Sequence, residues 1–339
     1  MTEASLAVDP NASQIGAELA RGLQLSKFFA VPRGAFGRRR LVRAVEHASI
    51  HIDGGETVGL VGESGSGKTT LGRLLLRLIE PNFGRVWFEG QEITHHHERD
   101  LRVLRRNMQM LFQDASASLD DRWSIFEIVA EPLRIHGSRD LRPHSERIHA
   151  LLDLVDLAPE IAGRRPTELS SGECQRVCIA RALALDPRFL VCDEPFGALD
   201  IGEQLGIIDL LRTLRETRAH SFLFISHDLP LVARSCQRVY VMYAGRIVES
   251  GSAEAIRTGA RHPYTRALLN AVPELEPKRR RLRVVLDGEP PSPFEPIAGC
   301  TFHPRCPRAK PGLCENELPA LTLAPEGQDH EFACWHPLT

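Results

Sequence analysis

The sequence predicts an α/β fold in which short apolar strands alternate with amphipathic helices, followed by a small extension rich in cysteine and proline. Three observations lead to this prediction. A phosphate-binding loop lies between an apolar run and a helical pattern. Further apolar runs of four or five residues end in polar side chains. Near residue 272 the periodicity fades, and prolines, basic residues and cysteines become frequent.

The phosphate-binding loop fits the pattern G-x-x-x-x-G-K-[ST] with the residues Gly62-Glu63-Ser64-Gly65-Ser66-Gly67-Lys68-Thr69. An apolar run at residues 57–61 precedes it and predicts a strand, and leucines at helical spacing follow it: Leu71, Leu74, Leu75 and Leu78. A phosphate at such a junction meets unpaired backbone N–H groups and the positive end of the helix dipole. We expect Lys68 to reach the β- and γ-phosphates and the Thr69 hydroxyl to hold Mg²⁺. The chain is therefore predicted to bind a nucleoside triphosphate.

Composition excludes several classes of protein. The chain has 339 residues, of which 42% are hydrophobic, and a formal net charge of −2, so we expect one large domain with a smaller one and no overall attraction to nucleic acid. No apolar run approaches the ~20 residues that span a bilayer, and residues 1–20 lack the basic-then-apolar order of a signal peptide. We expect a cytosolic protein whose cysteines form no structural disulfides and whose membrane role, if any, requires partner subunits.

The remaining elements follow along the chain. Residues 23–92 show strand patterns around the loop and its helix, and residues 99–163 show a mostly helical pattern. The later apolar runs predict four strands, the last two joined as a hairpin: 189–192, 222–225, 239–242 and 246–249. We expect three parts, namely a tail over residues 1–20, a nucleotide-binding domain over residues 21–264 and the extension over residues 265–339.

Polar residues at the ends of apolar runs carry the predicted chemistry. Asp193 and Glu194 directly follow one strand, where an aspartate typically holds Mg²⁺ and a second carboxylate polarises the attacking water. Adjacent carboxylates also occur in solvated turns. His227 follows the next strand, where it either contacts the γ-phosphate or is structural. Gln113 alone is uninformative, and the four residues gain significance from their fixed order after the phosphate-binding loop.

With Leu169-Ser170-Ser171-Gly172-Glu173 added, this order resembles the ATP-binding-cassette (ABC) ATPases over roughly residues 23–264. The resemblance implies a RecA-like core, an antiparallel β subdomain and a helical signature subdomain. It identifies, in chain order, the Walker A motif at 62–69, the Q-loop glutamine Gln113, the signature at 169–173, the Walker B motif at 189–194, the D-loop at 198–200 and the switch histidine His227. Such ATPases dimerise head to tail, so Ser170 and Gly172 are implied to face the partner's ATP.

The same resemblance implies the residues that bind and hydrolyse ATP. The first aromatic contact to adenine usually precedes the Walker A motif, and in Lys27-Phe28-Phe29 we favour Phe29, with Phe28 the alternative. The implied ATP contacts are Phe29, Gly62, Glu63, Ser64, Gly65, Ser66, Gly67, Lys68, Thr69, Thr70 and Gln113. The implied Mg²⁺ ligands are Thr69, Gln113 and Asp193, and the implied catalytic residues are Lys68, Glu194 and His227.

Finer similarity indicates the oligopeptide, dipeptide and nickel importers. The segments that carry it are residues 104–114, 131–137, His262-Pro263-Tyr264-Thr265, 299–307 and 333–335. This branch implies an ATPase subunit at the cytoplasmic face of the membrane that powers import of di- or oligopeptides. Its implied partners are a second ATPase subunit, two transmembrane permease subunits and an extracytoplasmic solute-binding protein, with no nucleic acid. The alternative is a non-transport ABC ATPase in a soluble complex for assembly, phosphonate breakdown or nucleic-acid-linked work.

The signature departs from the usual Leu-Ser-Gly-Gly-Gln of the family. Ser171 adds a side chain where backbone approaches closely, and Glu173 adds a negative charge toward the partner's nucleotide. We therefore expect a hetero-dimer of ATPase subunits with two unequal ATP sites. The alternative is a homodimer in which both sites tolerate the change.

Four cysteines in the extension, Cys300, Cys306, Cys314 and Cys334, have the spacing C-x5-C-x7-C-x19-C. Four thiolates can hold Zn²⁺ or an iron–sulfur cluster, although the tight cysteine pairs of most zinc sites are absent. Four unbridged thiols are the third alternative. Some dipeptide importer subunits carry a 4Fe–4S cluster on such a tail, so the resemblance favours that cluster. The other four cysteines are predicted to be small core residues: Cys174, Cys178, Cys192 and Cys236.

Overall fold

The chain is described here by a computed structural model. It describes residues 17–32, 39–137, 140, 142–197, 199–271, 288–292, 294–295, 297–325 and 329–338. Most of the predicted tail, residues 1–16, and Ala198 of the predicted D-loop lie outside the described residues. None of the described helices is long and apolar enough to cross a membrane.

The centre of the fold is a largely parallel sheet with the order β11-β12-β10-β9-β3-β8-β7-β6 in the described residues. Its strands are β3 (Thr57–Val61), β6 (Met108–Leu111), β7 (Phe189–Asp193), β8 (Ser221–Ser226), β9 (Arg238–Tyr243), β10 (Arg246–Ser252), β11 (Thr322–Leu323) and β12 (Glu331–Phe332). The strands from β9 to β6 run parallel to one another, whereas β9 with β10, β10 with β12 and β11 with β12 are antiparallel pairs. Every residue of β3, β7 and β8 is buried, as expected for strands covered on both faces.

A smaller antiparallel sheet lies beside the phosphate-binding loop, with the order β2-β1-β4-β5. Its strands are β1 (Glu18–Val31), β2 (Arg40–Asp53), β4 (Phe83–Phe88) and β5 (Gln91–Glu92). The first helix, α1 (Lys68–Leu75), packs between the two sheets, because Leu71, Leu74 and Leu75 share one core cluster with residues of β1, β2 and β3. This arrangement agrees with the predicted antiparallel β subdomain.

The remaining helices form the helical part of the fold and the C-terminal edge. They are α2 (Glu98–Leu104), α3 (Ile125–Ile135), α4 (Ser145–Leu154), α5 (Ser171–Leu183), α6 (Ile201–Arg218), α7 (Leu229–Ser235), α8 (Ala253–Gly259) and α9 (Pro263–Ala271). Helices α3, α4, α5 and α6 contribute to one core cluster, which continues into β7 and β8. A third cluster joins the end of β3 to α7, α8, α9 and Phe302 of the C-terminal segment.

The topology brings the predicted site together at one edge of the sheet. Strand β8 lies between β3 and β7, and all three run parallel. Their carboxyl ends therefore face the same side, which is where ligands bind in open α/β sheets. The phosphate-binding loop follows β3, Asp193 and Glu194 lie at the end of β7, and His227 follows β8.

Several predicted elements are confirmed and three differ. The hairpin is confirmed by β9 and β10, with Ala244 and Gly245 at its turn. Helix α1 ends at Leu75 and Arg77 has φ 50°, so Leu78 lies beyond the helix and is 40% exposed rather than on its buried face. Strand β6 interrupts the segment that was predicted to be mostly helical. Two short strands, β11 and β12, occur where no periodicity was found.

The described part of the C-terminal segment shares the core of the domain. Strand β12 pairs with β10, and the buried Phe302 ring lies 5.2 Å from the ring centroid of Tyr243. Cys300 and Cys306 pack against the same cluster. The prediction that the other four cysteines are core residues is confirmed for Cys174, Cys178 and Cys192, while Cys236, at the end of α7, is half-buried and packs against two of the core clusters.

Candidate nucleotide site and C-terminal cysteine cluster

The phosphate-binding loop passes so close to neighbouring backbone that two of its positions require glycine. A Cβ on Gly62 would lie 2.1 Å from the carbonyl oxygen of Met242, and one on Gly67 would lie 2.0 Å from that of Ala44. Gly67 also has φ 104°, a left-handed conformation that only glycine adopts at low cost. The loop therefore has one closely defined path from β3 into α1.

Lys68 is the first residue of α1 and its side chain folds back over the loop. The Nζ donates hydrogen bonds to the carbonyl oxygens of Gly62 at 2.8 Å and Glu63 at 2.9 Å. Burial lowers the pKa of Lys68, and the carboxylates of Glu194, Asp193 and Glu63 partly oppose that effect. The Lys68 ammonium is thus held inside the loop, where it interacts electrostatically with all three carboxylates.

Asp193 lies buried at the end of β7 and contacts the loop directly. The Thr69 hydroxyl donates a hydrogen bond to Asp193 Oδ1 at 3.0 Å. Burial raises the pKa of Asp193, while the hydrogen bond from Thr69 acts in the opposite direction. A carboxylate and a hydroxyl held side by side are the hard oxygen ligands that Mg²⁺ prefers, so the pair fits that ion.

Glu194 and His227 form a second pair at the same edge. His227 Nδ1 lies 3.1 Å from Glu194 Oε1 and 3.0 Å from Oε2, and because a carboxylate only accepts, we assign the proton to Nδ1. Glu194 has φ 48°, a strained conformation of the kind found at functional sites, held by a hydrogen bond from its N–H to Ile225. The carboxylate is largely covered and the histidine ring is 68% exposed.

The chemistry of the loop fits a bound phosphate chain. Ser66 Oγ is buried and has no hydrogen-bond partner among the residues described. The first backbone N–H groups of α1 lack intrahelical acceptors, as at every helix start. A hydroxyl, several N–H groups and the Lys68 ammonium together supply donors and positive charge at one point, and a polyphosphate would satisfy them.

Within the described part of the chain, the side chains of Gln113 and Phe29 form no hydrogen bond with the residues above, and their positions follow from the neighbouring strands. Gln113 is exposed two residues beyond Leu111, which pairs with Cys192 of β7, so it continues alongside the strand that ends in Asp193. Phe29 is 37% exposed on β1, and Lys27 Nζ lies 5.4 Å from its ring centroid. The Phe28 ring, by contrast, makes an edge contact with Phe83. The exposure of Phe29 leaves its ring available for stacking.

The signature residues form the start of α5. Ser170 is the N-cap: its Oγ accepts from the Glu173 N–H at 3.2 Å, and Glu173 Oε2 accepts from the Ser170 N–H at 2.8 Å. The Glu173 carboxylate therefore completes a capping box, a local role that glutamine would also serve. A Cβ on Gly172 would meet Glu203 Oε1 at 2.2 Å. Ser171 is exposed.

The four cysteines of the extension line one pocket together with residues of α9 and the C-terminal end. The lining residues include Cys300, Cys306, Cys314, Cys334, Phe302 and His336. Burial raises the pKa of Cys300, Cys306 and Cys334, the last to about 11, and backbone hydrogen bonds oppose this at each thiol. The Lys310 N–H donates to Cys314 Sγ at 3.4 Å.

Four cysteine sulfurs are a donor set of the chemical kind that binds Zn²⁺ or an iron–sulfur cluster. Within the described ranges, however, no group of three or more His, Cys, Asp or Glu side chains has an arrangement that could hold a metal ion. The four cysteines line one cavity, but their side chains are not arranged as a ligand set for the predicted 4Fe–4S cluster or for Zn²⁺.

Two contacts of the loop were missed at the sequence level. The Glu63 N–H donates to the Tyr264 hydroxyl at 2.8 Å, and the Glu63 carboxylate binds the guanidinium of Arg305. Tyr264 belongs to the His262-Pro263-Tyr264-Thr265 motif, which was treated only as a mark of similarity. No periodicity or spacing connects Arg305 to a residue 242 positions earlier.

Comparison with known proteins gives the following similarities. The family description "ABC transporter" matches residues 45–197, and "Oligopeptide/dipeptide transporter, C-terminal region" matches residues 248–314. The oligopeptide transport ATP-binding protein AppF of Bacillus subtilis is 42% identical over 91% of this chain and 94% of its own length. The dipeptide transport ATP-binding protein DppF of Haemophilus influenzae is 38% identical over 94% of this chain and 96% of its own length.

A solved structure supports the fold independently. A dimeric ATP-binding cassette in a post-hydrolysis state, bound to ADP and Pi, superimposes with a TM-score of 0.62 at 26% identity. The match covers 69% of this chain and 99% of the chain in that structure.

Proposed function

Since the chain belongs to the ABC transporter family, among the peptide-transport ATP-binding proteins, we propose that it is the ATP-hydrolysing subunit of an importer of di- or oligopeptides. One observation carries the proposal. The Lys68 ammonium, the Thr69–Asp193 pair and the Glu194–His227 pair lie at the carboxyl ends of three adjacent parallel strands. Phosphate binding, a cation site and a base are thereby available at one edge.

We assign the residues of this edge to successive tasks. The loop from Gly62 to Thr70 would bind the phosphates, with Lys68 on the β- and γ-oxygens, and Phe29 would stack on adenine. Thr69 and Asp193, with Gln113 beside them, would hold Mg²⁺, which neutralises charge on the phosphates when bound. These residues would supply the hydrogen-bond donors, the aromatic ring and the oxygen ligands that ATP and Mg²⁺ require.

Glu194 is the proposed base. Its carboxylate is fixed by His227 Nδ1, which leaves the exposed side of the histidine ring for the γ-phosphate. A carboxylate in this position would accept a hydrogen bond from the attacking water and orient it in line with the γ-phosphorus. Removing the carboxylate should therefore stop hydrolysis while leaving nucleotide binding largely intact.

The proposed partners are a second ATPase subunit, two transmembrane permease subunits and an extracytoplasmic solute-binding protein, which would place the chain at the cytoplasmic face of the membrane. Exposed apolar side chains next to Gln113 and at the end of α3 support a contact with the permeases. Phe112 is 44% exposed and Ile135 is 51% exposed. In a head-to-tail dimer, Ser170 and Gly172 would face the partner's ATP.

The experiment is purification of the chain from membranes with its partners, followed by an ATPase assay of wild-type protein and Lys68→Ala. We expect permease subunits to co-purify, and K68A to lose nucleotide binding because the phosphates lose their principal cation. Recovery of an active chain without membrane proteins would favour the alternative of a soluble, non-transport ABC ATPase. We favour import over that alternative because residues 248–314 match the C-terminal region of oligopeptide and dipeptide transporters.

For the cysteine segment we propose a 4Fe–4S cluster held by Cys300, Cys306, Cys314 and Cys334, with Zn²⁺ as the alternative. The shared pocket and the hydrogen bonds to the thiols support it. Anaerobically purified protein should contain about four iron atoms per chain and absorb near ~400 nm, with bleaching on reduction. Colourless protein that contains one equivalent of zinc would show that the site binds zinc instead of the cluster. Metal-free protein would reject both metals.

A further inference from the structure

The C-terminal segment holds the phosphate-binding loop through one ion pair. Arg305 donates in a bidentate manner to the Glu63 carboxylate, with Nη1 2.6 Å from Oε2 and Nη2 3.0 Å from Oε1. The Arg305 side chain is only 6% exposed and that of Glu63 24% exposed. A bidentate, mostly buried pair of this kind is both directional and strong compared with a surface ion pair.

Neighbouring groups fix both members of the pair. The Glu63 N–H donates to the Tyr264 hydroxyl at 2.8 Å, so backbone and side chain of Glu63 are both bound by residues beyond position 262. Arg305 also donates to the Tyr243 hydroxyl at 3.4 Å, and its guanidinium carbon lies 6.0 Å from the Tyr243 ring centroid. The pair therefore has little freedom to separate while the segment stays docked.

The charge of Glu63 is unfavourable where it stands unless it is compensated. Glu63 is the second residue of the loop, and Lys68 Nζ contacts its carbonyl oxygen. A carboxylate on a residue of this loop would repel a bound triphosphate, and the repulsion would be weakly screened in a partly buried site. Arg305 cancels that charge and keeps the carboxylate turned toward the segment.

The placement of Arg305 in turn depends on the cysteines. Arg305 ends a short 3₁₀ turn, His303–Arg305, that lies between Cys300 and Cys306. The Cys300 N–H donates to the Cys314 carbonyl at 2.9 Å, and the Cys306 N–H donates to that of His303 at 3.2 Å. A change in the packing or ligation of the thiols would therefore move the residue that neutralises Glu63.

We propose that Arg305 is a positioning residue of the nucleotide site, which neutralises and holds Glu63 and thereby makes the affinity of the loop for ATP depend on the four-cysteine segment. The proposal rests on the proposed function for the identity of the nucleotide. It requires an ordered cysteine segment, whichever metal that segment binds.

The test is the affinity of the purified full chain for ATP and for ADP, measured by fluorescence titration without hydrolysis. Arg305→Met should weaken ATP binding roughly tenfold, with a smaller loss for ADP because fewer phosphate charges meet Glu63. The double variant Glu63→Gln with Arg305→Met should recover most of the affinity, since the repelling charge is gone. Arg257→Met is the control, because Arg257 makes a bidentate pair with Glu254 on the solvent-exposed face of helix α8.

The second arm connects the pair to the cysteines. Cys306→Ser should lower ATP affinity in the wild-type background by a factor similar to that of R305M, and should have no further effect in the E63Q/R305M background. Iron and zinc content, measured on the same samples, reports the metal separately. If R305M does not fold, Arg305→Gln takes its place and should show the same roughly tenfold loss of ATP affinity, because glutamine also removes the positive charge beside Glu63.

Failure of this proposal is distinguishable from failure of the proposed function. Wild-type protein that does not bind ATP would reject the function. Wild-type binding together with unchanged affinity in R305M, or with a loss in R305M that the added E63Q change does not rescue, would reject the role of Arg305 while leaving the function in place.

Discussion

The nucleotide site and the cysteine segment are built in different ways. The first lies at the ends of β3, β7 and β8, strands in which every residue is buried. Among its described residues the second has the two-residue strands β11 and β12, and it packs against the core of the domain through Phe302. A sheet of fully buried strands fixes the first region directly, whereas the second keeps its place through a few contacts. We therefore expect substitutions of the catalytic residues to change ATP hydrolysis without unfolding the protein. Substitutions at the C-terminal contacts should change the stability of that segment without removing any catalytic group.

The largest expected effect concerns the chemistry of the first region. Glu194→Gln should reduce ATP turnover by about 10²–10⁴-fold while ATP binding stays within a few-fold of the wild type, because the water loses its polarising carboxylate and the loop is untouched. Steady-state ATPase assays and nucleotide titration measure the two quantities. Asp209→Asn, on the exposed face of α6, is the control for removing one carboxylate. Loss of binding in E194Q would mean that Glu194 supports the loop rather than the reaction.

The next effect concerns the packing of Phe302 against the core of the domain. Phe302→Ala should destabilise the C-terminal segment by about 3–5 kcal/mol, since it removes a ring that is 1% exposed and packs on Tyr243 and Tyr264. Limited proteolysis should then cleave beyond residue 288 while the central sheet survives. Phe294→Ala, at a ring that is 38% exposed, should leave proteolysis unchanged. Simultaneous unfolding of the whole chain would show that the two regions form one cooperative unit.

A smaller effect concerns pH. Burial lowers the pKa of His262 to about 4, against a partial opposing effect of Glu249, and His262 Nδ1 accepts a hydrogen bond from the Tyr264 N–H. Because the folded pKa lies below the unfolded value of about 6.5, this contribution to stability is complete above pH 6.5 and is lost as the pH falls toward 4. The change is on the order of 3 kcal/mol across that window.

The comparison variant for this pH effect is His262→Asn, which keeps an acceptor and does not titrate there. Proteolysis of the C-terminal segment between pH 7 and pH 4.5 should accelerate more in the wild type than in H262N. Equal pH dependence in the two proteins would assign the effect to other groups.

The smallest effect concerns the signature. If the altered residues weaken one ATP site, Ser171→Gly with Glu173→Gln should raise the ATPase rate of the assembled complex about fivefold, on the order of 1 kcal/mol. The capping box limits the effect, because glutamine would cap α5 as glutamate does. Glu168→Gln is the control, since Glu168 accepts from the Arg165 N–H in the adjacent turn. An unchanged rate would favour equal sites and a homodimer.

The sequence predicted the first region far better than the second. A glycine-rich loop between an apolar run and a helical pattern predicts a strand, a phosphate-binding loop and a helix in that order. An apolar run that ends in carboxylates predicts that Asp193 and Glu194 lie at the edge of the sheet. Strand β6 was not predicted, because four residues containing Gln109 show no clear alternation. The pairing of β12 with β10, and of Arg305 with Glu63, depends on contacts between distant residues that leave no local pattern.

Uptake of labelled dipeptide into proteoliposomes tests the central claim most directly, with the chain assembled with its permease and ATPase partners, ATP supplied on the side of the ATPase subunits and the solute-binding protein on the other. The account predicts ATP-dependent uptake with wild-type protein, and no uptake with Lys68→Ala or Glu194→Gln in place of this chain. Peptide accumulation that persists at the wild-type rate with either variant would contradict it.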